Sequence, residues 1–206
     1  MVLVLGIGAI FFTTRDLYAS IGNVIIQEGE SLIERKIGED VASEVDLDIF
    51  SYDTIRTAKS KTAIEFIDTT RVDVTEHSKL VIDEFVYDPN KKTGKLSLKA
   101  SLGTVRYASG QIAKNNPTSI KITTPTATIG VRGTDFSMTV DELGSSTIIL
   151  LPSCDTNGNC YVGEISVESD AGQVILSQAF QATVVDTVSS TPMKPVILGL
   201  DENMIN

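Results

Sequence analysis

Short runs of alternating apolar and polar residues recur along most of the chain, and they constrain its fold more than any other feature of the sequence. In residues 71–74 and 95–99 every second side chain is apolar, which is the period of a strand with one buried face. Residues 147–151 are almost wholly apolar, which favours a strand covered on both faces. Turn-forming pairs such as Asn157-Gly158 separate the runs. About a dozen short strands at this spacing predict a single all-β domain, with the strands in a twisted solenoid-like or sandwich-like stack.

Residues 38–50 are the one stretch that leaves two alternatives open. Val41, Val45 and Ile49 recur every four residues, as they would on one face of a short helix. Val45, Leu47 and Ile49 also alternate, as they would in a strand. The pattern alone does not choose between them.

The two ends of the chain differ from the middle. Residues 2–12 are apolar and uncharged, but a helix that spans a bilayer needs about 20 such residues. The run is typical of a signal peptide with Ala19 at the cleavage point, although no Lys or Arg precedes it, and a buried first strand is the alternative. We therefore expect a signal peptide or apolar segment over residues 1–19, the β domain over 20–188 and a loose tail over 189–206.

The charge balance and the residue types exclude several classes of function. A formal net charge of -10, from 27 acidic and 17 basic residues, argues against binding to nucleic acid or to anionic lipid, since both depend on clustered Lys and Arg. The single histidine, His77, excludes a multi-histidine metal site, and its polar neighbours indicate a solvated turn. Neither a nucleophile elbow nor a phosphate-binding loop occurs. We expect no enzyme activity, no catalytic residues, no metal and no cofactor.

The two cysteines stand close together. Cys154 and Cys160 flank residues 155–159, which contain the Asn157-Gly158 turn. On facing strands of a hairpin they would be close enough to form a structural disulfide. An exported protein would form this bond, whereas a reducing cytoplasm would keep both thiols free.

Residues 122–136, with the sequence ITTPTATIGVRGTDF, resemble the signature of the FecR domain family. Earlier segments resemble other blocks of that family, namely residues 52–57 with 63–66, residues 78–85 and residues 102–110. The resemblance extends over roughly residues 21–186. It implies a non-enzymatic, β-rich domain outside the cytoplasm, arranged as a twisted, solenoid-like stack of short strands.

The residues of the signature themselves favour a structural role. Pro125 lacks an N–H group and therefore suits a strand start or a sheet edge. Gly130 and Gly133 indicate a corner with special backbone conformation, and we expect Arg132 and Asp135 to form an ion pair across it. A ligand or partner contact is the alternative for this pair. The signature residues expected to have a structural or partner-contact role are Pro125, Thr126, Thr128, Gly130, Arg132, Gly133 and Asp135.

These observations predict an exported interaction or assembly module, periplasmic or secreted, that binds a protein partner or assembles with itself as a homo-oligomer. The chain resembles stand-alone FecR-like proteins, which are secreted by bacteria or encoded by tailed marine phages. One alternative is therefore a structural component of a phage virion or a filament. The best-known family members relay an outer-membrane signal to a sigma factor, so a signal-relay domain of a cell-surface regulatory system is the other alternative.

Overall fold

The computed structural model describes residues 19–155 and 157–199. The first strands are β1 (Gly22–Glu28), β2 (Ser31–Glu34), β3 (Val41–Ala42), β4 (Asp48–Ile49), β5 (Thr54–Thr57), β6 (Lys61–Phe66), β7 (Arg71–Val74), β8 (Lys79–Asp88) and β9 (Thr93–Ala108). The helix α1 (Gln111–Asn115) and a 3-10 helix (Pro117–Ser119) follow. The remaining strands are β10 (Ile120–Thr123), β11 (Thr128–Arg132), β12 (Asp135–Val140), β13 (Ser146–Leu151), β14 (Ser153–Cys154), β15 (Cys160–Tyr161), β16 (Glu164–Ser169), β17 (Gly172–Leu176), β18 (Gln181–Val185) and β19 (Val196–Ile197).

This architecture confirms the predicted all-β domain. The alternating runs form strands, as in β7, where Val72 and Val74 are buried between two half-buried polar residues. In the ambiguous stretch of residues 38–50 the structure has two strands of two residues each, β3 and β4, and no helix, while Val45 and Leu47 of the alternating pattern lie in the connection between them. The predicted signal peptide lies almost entirely outside the described residues. Within the described residues, no helix is long and apolar enough to cross a membrane.

The strands form two layers that share β9. The order in the first layer is β4-β1-β6-β7-β9-β12-β13-β18-β19, and the order in the second is β3-β2-β5-β8-β9-β10-β11-β16-β17. Consecutive hairpins alternate between the layers, so the chain advances from β1 to β19 along the length of the domain. Each layer therefore has an N-terminal end and a C-terminal end, and each end has open strand edges.

The long strand β9 passes from one layer to the other at Gly103. Its N-terminal half pairs with β8 and β10, and its C-terminal half pairs with β7 and β12. Gly103 has a φ of +79°, a conformation that side chains with a Cβ disfavour. The buried Ser78 packs against this glycine, and its Oγ accepts the Thr104 N–H at 3.0 Å. The sharp turn in β9 therefore depends on a residue without a side chain.

The space between the layers is a continuous hydrophobic core. Phe66 of β6 stacks on Phe85 of β8, with 5.2 Å between ring centroids, and this pair joins the layers. Tyr107 and Phe136 pack against each other within the first layer at 5.4 Å. Burial raises the pKa of the Tyr107 hydroxyl far above its usual value. The apolar face of nearly every strand contributes to this core, which stabilises the fold through the hydrophobic effect.

The buried carboxylate of Asp68 holds the short helix α1. It accepts hydrogen bonds from the N–H and Oγ1 of Thr70, at 3.0 and 2.8 Å, and from the Ile112 N–H at 3.1 Å. The Asp68 carbonyl also accepts the Gln111 N–H at 2.8 Å. A side chain from a distant turn thus satisfies the first free N–H groups of the helix, a role that no residue of the helix itself fills.

The C-terminal residues that follow the β domain make specific contacts over part of their length. Met193 donates its N–H to the Val184 carbonyl at 2.9 Å, and the Oγ1 of Thr183 donates to the Met193 carbonyl at 2.7 Å. β19 then pairs with β18. Residues 193–198 of the predicted loose tail therefore lie along the edge of the first layer.

Candidate functional site

The first block of the FecR-like sequence anchors the N-terminal strands. Asp53 is almost fully buried and forms an ion pair with Arg35, while its Oδ2 accepts the Phe50 N–H at 2.8 Å. Burial raises the pKa of the Asp53 carboxyl, and the Phe50 N–H and Arg35 oppose that rise. Arg35 also donates to the Asp48 carbonyl at 2.9 Å. This cluster joins the segment before β5 to β4 and the end of β2.

Hydroxyl groups hold the turn at the start of the signature. Thr124 and Ala127 close the turn through a Thr124 N–H to Ala127 O bond of 2.9 Å. The Oγ1 of Thr126 donates to the Oγ of Ser146 at 2.7 Å, and that hydroxyl in turn donates to the Oγ1 of Thr124 at 2.7 Å. Thr126 and Ser146 are buried, whereas Pro125 at the tip of the turn is exposed. A rigid turn therefore presents one apolar ring to solvent.

The predicted ion pair between Arg132 and Asp135 is wrong. Arg132 ends β11 in the second layer and pairs with its cross-strand neighbour Glu164, with 2.9 Å between Nη1 and Oε1. Asp135 begins β12 in the first layer, where its Oδ1 accepts the Ser153 hydroxyl at 2.6 Å. Gly133, with a φ of +57°, redirects the chain between the layers. The two side chains therefore leave the corner towards different sheets.

The other glycine and threonine of the signature pack against neighbouring strands. A Cβ on Gly130 would lie 2.7 Å from the Oγ of Ser166 on β16, so the close approach of β11 and β16 depends on this glycine. Thr128 pairs with Glu168 in the register of the same two strands. Among the seven signature residues, Pro125 is the one that lines both of the surface grooves described below.

The two cysteines face each other in the small hairpin of β14 and β15. Cys154 and Cys160 are direct register partners, with 4.0 Å between their Cα atoms, and their Sγ atoms lie at bonding distance. Asp155 orders the connecting turn, since its Oδ1 accepts the N–H groups of Asn157 and Asn159 at 2.9 Å each. Hydrogen bonds from Asn159 and Asn157 hold the pKa of the Asp155 carboxyl below its usual value.

A surface groove, here called the trough, lies where the layers separate beside the bend of β9. It has a volume of about 650 Å³. Leu102 of β9, Pro125 and the β12–β13 turn at residues 141–144 all line it. The Gly144 position lies against the Pro125 ring, since a Cβ there would be 3.4 Å from the ring. The signature turn therefore forms part of the wall of the trough.

The side chains around the trough combine an apolar surface with charges of both signs. Leu143, at the tip of the β12–β13 turn, is 94% exposed. Asp141 and Glu142 precede it in the same turn, and Lys79 at the start of β8 also lines the groove. Asp141 is engaged in the turn, because its Oδ1 accepts the N–H groups of Leu143 and Ser145 at 2.9 Å each. An exposed leucine on an ordered turn next to a groove is typical of a protein contact.

A second groove of about 300 Å³ borders Pro125 on its other side. Lys121, residues 123–128 and residues 168–170 line this groove. The signature turn is the ridge between it and the trough. A partner that extends across both grooves would therefore contact the Pro125 ring.

The structure gives no support for catalysis in the part of the chain that it describes. His77 is exposed, has a φ of +53° and lies in the turn between β7 and β8, at the rim of the trough. The carboxylates of Asp83 and Glu84 form ion pairs with Lys99 and Lys95, at 2.6 and 2.7 Å. No group of three or more His, Cys, Asp or Glu residues among the described ones is arranged to hold a metal ion.

Sequence reasoning missed Leu143 and Leu102. Leu143 lies between Asp141-Glu142 and Gly144-Ser145, which are turn-forming residues. The sequence therefore indicates a turn here and not an apolar contact surface. An isolated large apolar residue within a turn sequence was the available signal. Leu102 belongs to a run that looks like an ordinary strand, and its half-exposed position follows from the bend at Gly103.

Comparison with known proteins supports the sequence resemblance. The model of the FecR protein family matches residues 53–151. No curated protein matches the chain. Two crystal structures of candidate anti-sigma factors from Parabacteroides distasonis ATCC 8503 are similar to it, each at 10% sequence identity. The TM-scores are 0.50, with 69% of this chain and 58% of the other covered, and 0.49, with 70% and 60% covered.

The chain thus spans about three fifths of the length of those structures. At 10% sequence identity, the similarity to the structure with a TM-score of 0.50 shows a shared fold and nothing about function. The matched segment, residues 53–151, runs from the buried Asp53 to the end of β13 and contains the signature turn and most of the trough. Residues 53–151, just under half of the chain, therefore match the FecR protein family.

Proposed function

We propose that the chain is a non-enzymatic regulatory domain that relays a signal by binding a protein partner. The match of residues 53–151 to the FecR family supports a regulatory role, as does the fold shared with a candidate anti-sigma factor. These similarities favour signal relay over the broader exported binding or assembly module. They lend no support to the role in a phage virion.

We place the partner contact at the trough. The observation that carries this proposal is the position of Leu143, whose side chain is 94% exposed on a turn fixed by Asp141. Because hydrogen bonds to Asp141 already order the backbone of this turn, a partner that covers Leu143 does not have to order the loop, which lowers the entropic cost of binding. Leu102 and Pro125 provide further apolar surface within the same groove.

The charges around the trough provide orientation for this partner. Lys79 and Glu142, which both line the trough, have no ion-pair partner among the described residues. A segment with an apolar side chain between an acidic and a basic residue would complement both charges. Such flanking charges act mainly on partner choice and association rate.

We also propose that the domain works outside the cytoplasm. Support comes from the direct pairing of Cys154 with Cys160, since disulfides persist in oxidising compartments. The acidic chain, with its net charge of -10, fits a soluble domain next to a membrane as well as a secreted one.

The experiment compares transcripts in cells of the source organism that carry the intact gene, a deletion or a point variant. A signal-relay domain predicts that deletion changes a small set of transcripts and that Leu143→Asp changes the same set. Ile37→Asp is the matched control, because Ile37 is also an exposed apolar residue, 65% exposed, but lies far along the chain from the trough. The control should leave the transcripts as in the wild type.

Two results would overturn the proposal. A deletion that alters no transcripts would exclude the regulatory role. A Leu143→Asp variant that is produced at the normal level and behaves as the wild type would exclude the trough as the site of contact.

A further inference from the structure

The C-terminal end of the two layers has open strand edges. β17 ends the second layer and pairs with β16 on one side, and β19 ends the first layer and pairs with β18 on one side. Among the described strands, β17 has a residue-by-residue register with β16 alone and β19 with β18 alone, so the other side of each is unpaired. The N–H and C=O groups on a free edge can accept another strand, which makes such an edge a site of association.

These edges carry exposed apolar side chains. Ile175 of β17 is 43% exposed, and Val196 and Ile197 of β19 are 57% and 62% exposed. Met193, which precedes β19, is exposed as well. The apolar surface is therefore located on both layers at the same end of the domain, next to the free backbone groups.

The same end is nearly free of charge, in contrast to the rest of the chain. Residues 171–199 contain one acidic and one basic residue, Asp186 and Lys194, for a net charge of zero in a chain of net charge -10. Free edges of soluble proteins usually carry charged residues, proline or a bulge that prevents pairing. β17, with the sequence GQVIL, has no charge and no proline, and its register with β16 is regular.

The charge at the opposite end of the domain disfavours a head-to-tail arrangement of copies. Residues 28–48, which contain β2, β3 and the first residue of β4, carry eight acidic and two basic residues, for a net charge of -6. Contact between this end and the C-terminal end would remove carboxylates from water. Lys194 is the one basic residue that the C-terminal end could pair with them. Burial of unpaired carboxylates is costly, so this contact is disfavoured.

Residues 200–206 are also a poor occupant of the free edge. They follow directly after β19 but include Asp201 and Glu202, which would be brought next to the apolar Ile175. A second copy of the same end introduces no such charge. Two uncharged edges in contact bury apolar side chains and pair free backbone groups without desolvating a carboxylate.

We propose that the chain forms a symmetric dimer through this end, with β17 antiparallel to β17 of a second copy. The two-fold axis runs perpendicular to the layers, so that each layer continues into the same layer of the second copy and β19 lies next to its equivalent. The contact is isologous and closed, which stops growth at two copies. This dimer is independent of the trough, because none of residues 171–199 lines the trough.

The test measures the mass of the full chain by sedimentation velocity over a series of concentrations. The wild type should change from monomer to dimer as the concentration rises, and added salt should strengthen the dimer by screening the net negative charge. Ile175→Lys should raise the dissociation constant by roughly tenfold or more, because it places a charge in the uncharged contact. Ile37→Lys adds the same charge at the other end and should leave the dissociation constant within about twofold.

A nitroxide label reports the geometry of the dimer independently. With the native cysteines bridged, a label on Gln173→Cys should give a short distance between the two copies, since the labelled strands are adjacent. A label on Glu39→Cys, at the acidic end, should give a distance near the full length of the dimer.

Three outcomes would overturn the proposal. The wild type could stay monomeric up to about 1 mM. The Ile37→Lys variant could dissociate the dimer while Ile175→Lys leaves it intact. The full chain could be monomeric while a chain ending at Gly199 dimerises, which would assign the edge to residues 200–206.

Discussion

Replacement of Gly103 by alanine tests the bend that joins the two layers. Gly103 has a φ of +79°, and an added Cβ would lie 2.0 Å from the Ser78 Oγ and 2.6 Å from the Ser78 Cα. Because a backbone atom is among these neighbours, rotation of the serine hydroxyl does not relieve the clash. The chain would have to move β9 away from the turn before β8.

The expected loss in the free energy of unfolding has two contributions. The left-handed conformation costs a residue with a Cβ about 1–2 kcal/mol, and forcing an extra carbon into a packed site costs about 1–3 kcal/mol. We therefore expect Gly103→Ala to lower the free energy of unfolding by about 2–5 kcal/mol. Gly133→Ala is the matched control, because Gly133 has a φ of +57° with no atom within 4 Å of an added Cβ, so only the conformational contribution applies.

The assay is equilibrium unfolding in urea, followed by circular dichroism, with the slope of the transition fitted for each protein. Both variants lose the same unfolded-state freedom of glycine, so this effect cancels in their difference. Gly103→Ala should be less stable than Gly133→Ala by at least about 1 kcal/mol. Equal stabilities of the two variants would refute the packing of Ser78 against the bend.

Three further perturbations test other parts of the structure. Asp68→Ala leaves the N–H groups of Thr70 and Ile112 without an acceptor in the core and should lower the free energy of unfolding by about 2–4 kcal/mol in the same urea assay. The hydrogen bond from Lys99 lowers the pKa of Asp83, so the stability that this carboxyl contributes is present above its unfolded pKa and is lost as the pH falls through its folded pKa. Lys99→Met should therefore be less stable than the wild type at pH 7 by about 0.2–1 kcal/mol, as expected for an exposed pair, and equally stable in strong acid. Replacement of both Cys154 and Cys160 by serine should lower the free energy of unfolding by about 2 kcal/mol, and an intact-mass measurement of the wild type should show the loss of two hydrogen atoms.

Much of the strand content could be predicted from the sequence, because a half-buried strand leaves a local pattern. Residues 71–74 and 95–99 alternate in polarity, and both lie in strands. The FecR resemblance likewise rests on a contiguous segment and is confirmed over residues 53–151. Helix α1, by contrast, has only five residues and depends on the distant Asp68, so it has no periodic signature.

The arrangement of the strands could not be predicted in the same way. The residues on both sides of Gly103 look like two ordinary strands, and only the structure shows one strand shared by two layers. The partner of Arg132 was mispredicted for the same reason, since proximity in sequence does not reveal that Gly133 sends the following residues into the other layer. The trough depends on this separation of the layers, so no local sequence pattern predicts it.

The most direct test of the proposed function is a photo-crosslinking amino acid at position 143 in the cells that produce the chain. The account predicts one crosslinked protein other than the chain itself, identified by mass spectrometry. The same amino acid at position 37 should give no such product, because Ile37 is exposed outside the trough. A crosslink at position 37 but not at 143, or none at either position, would contradict a partner contact at the trough.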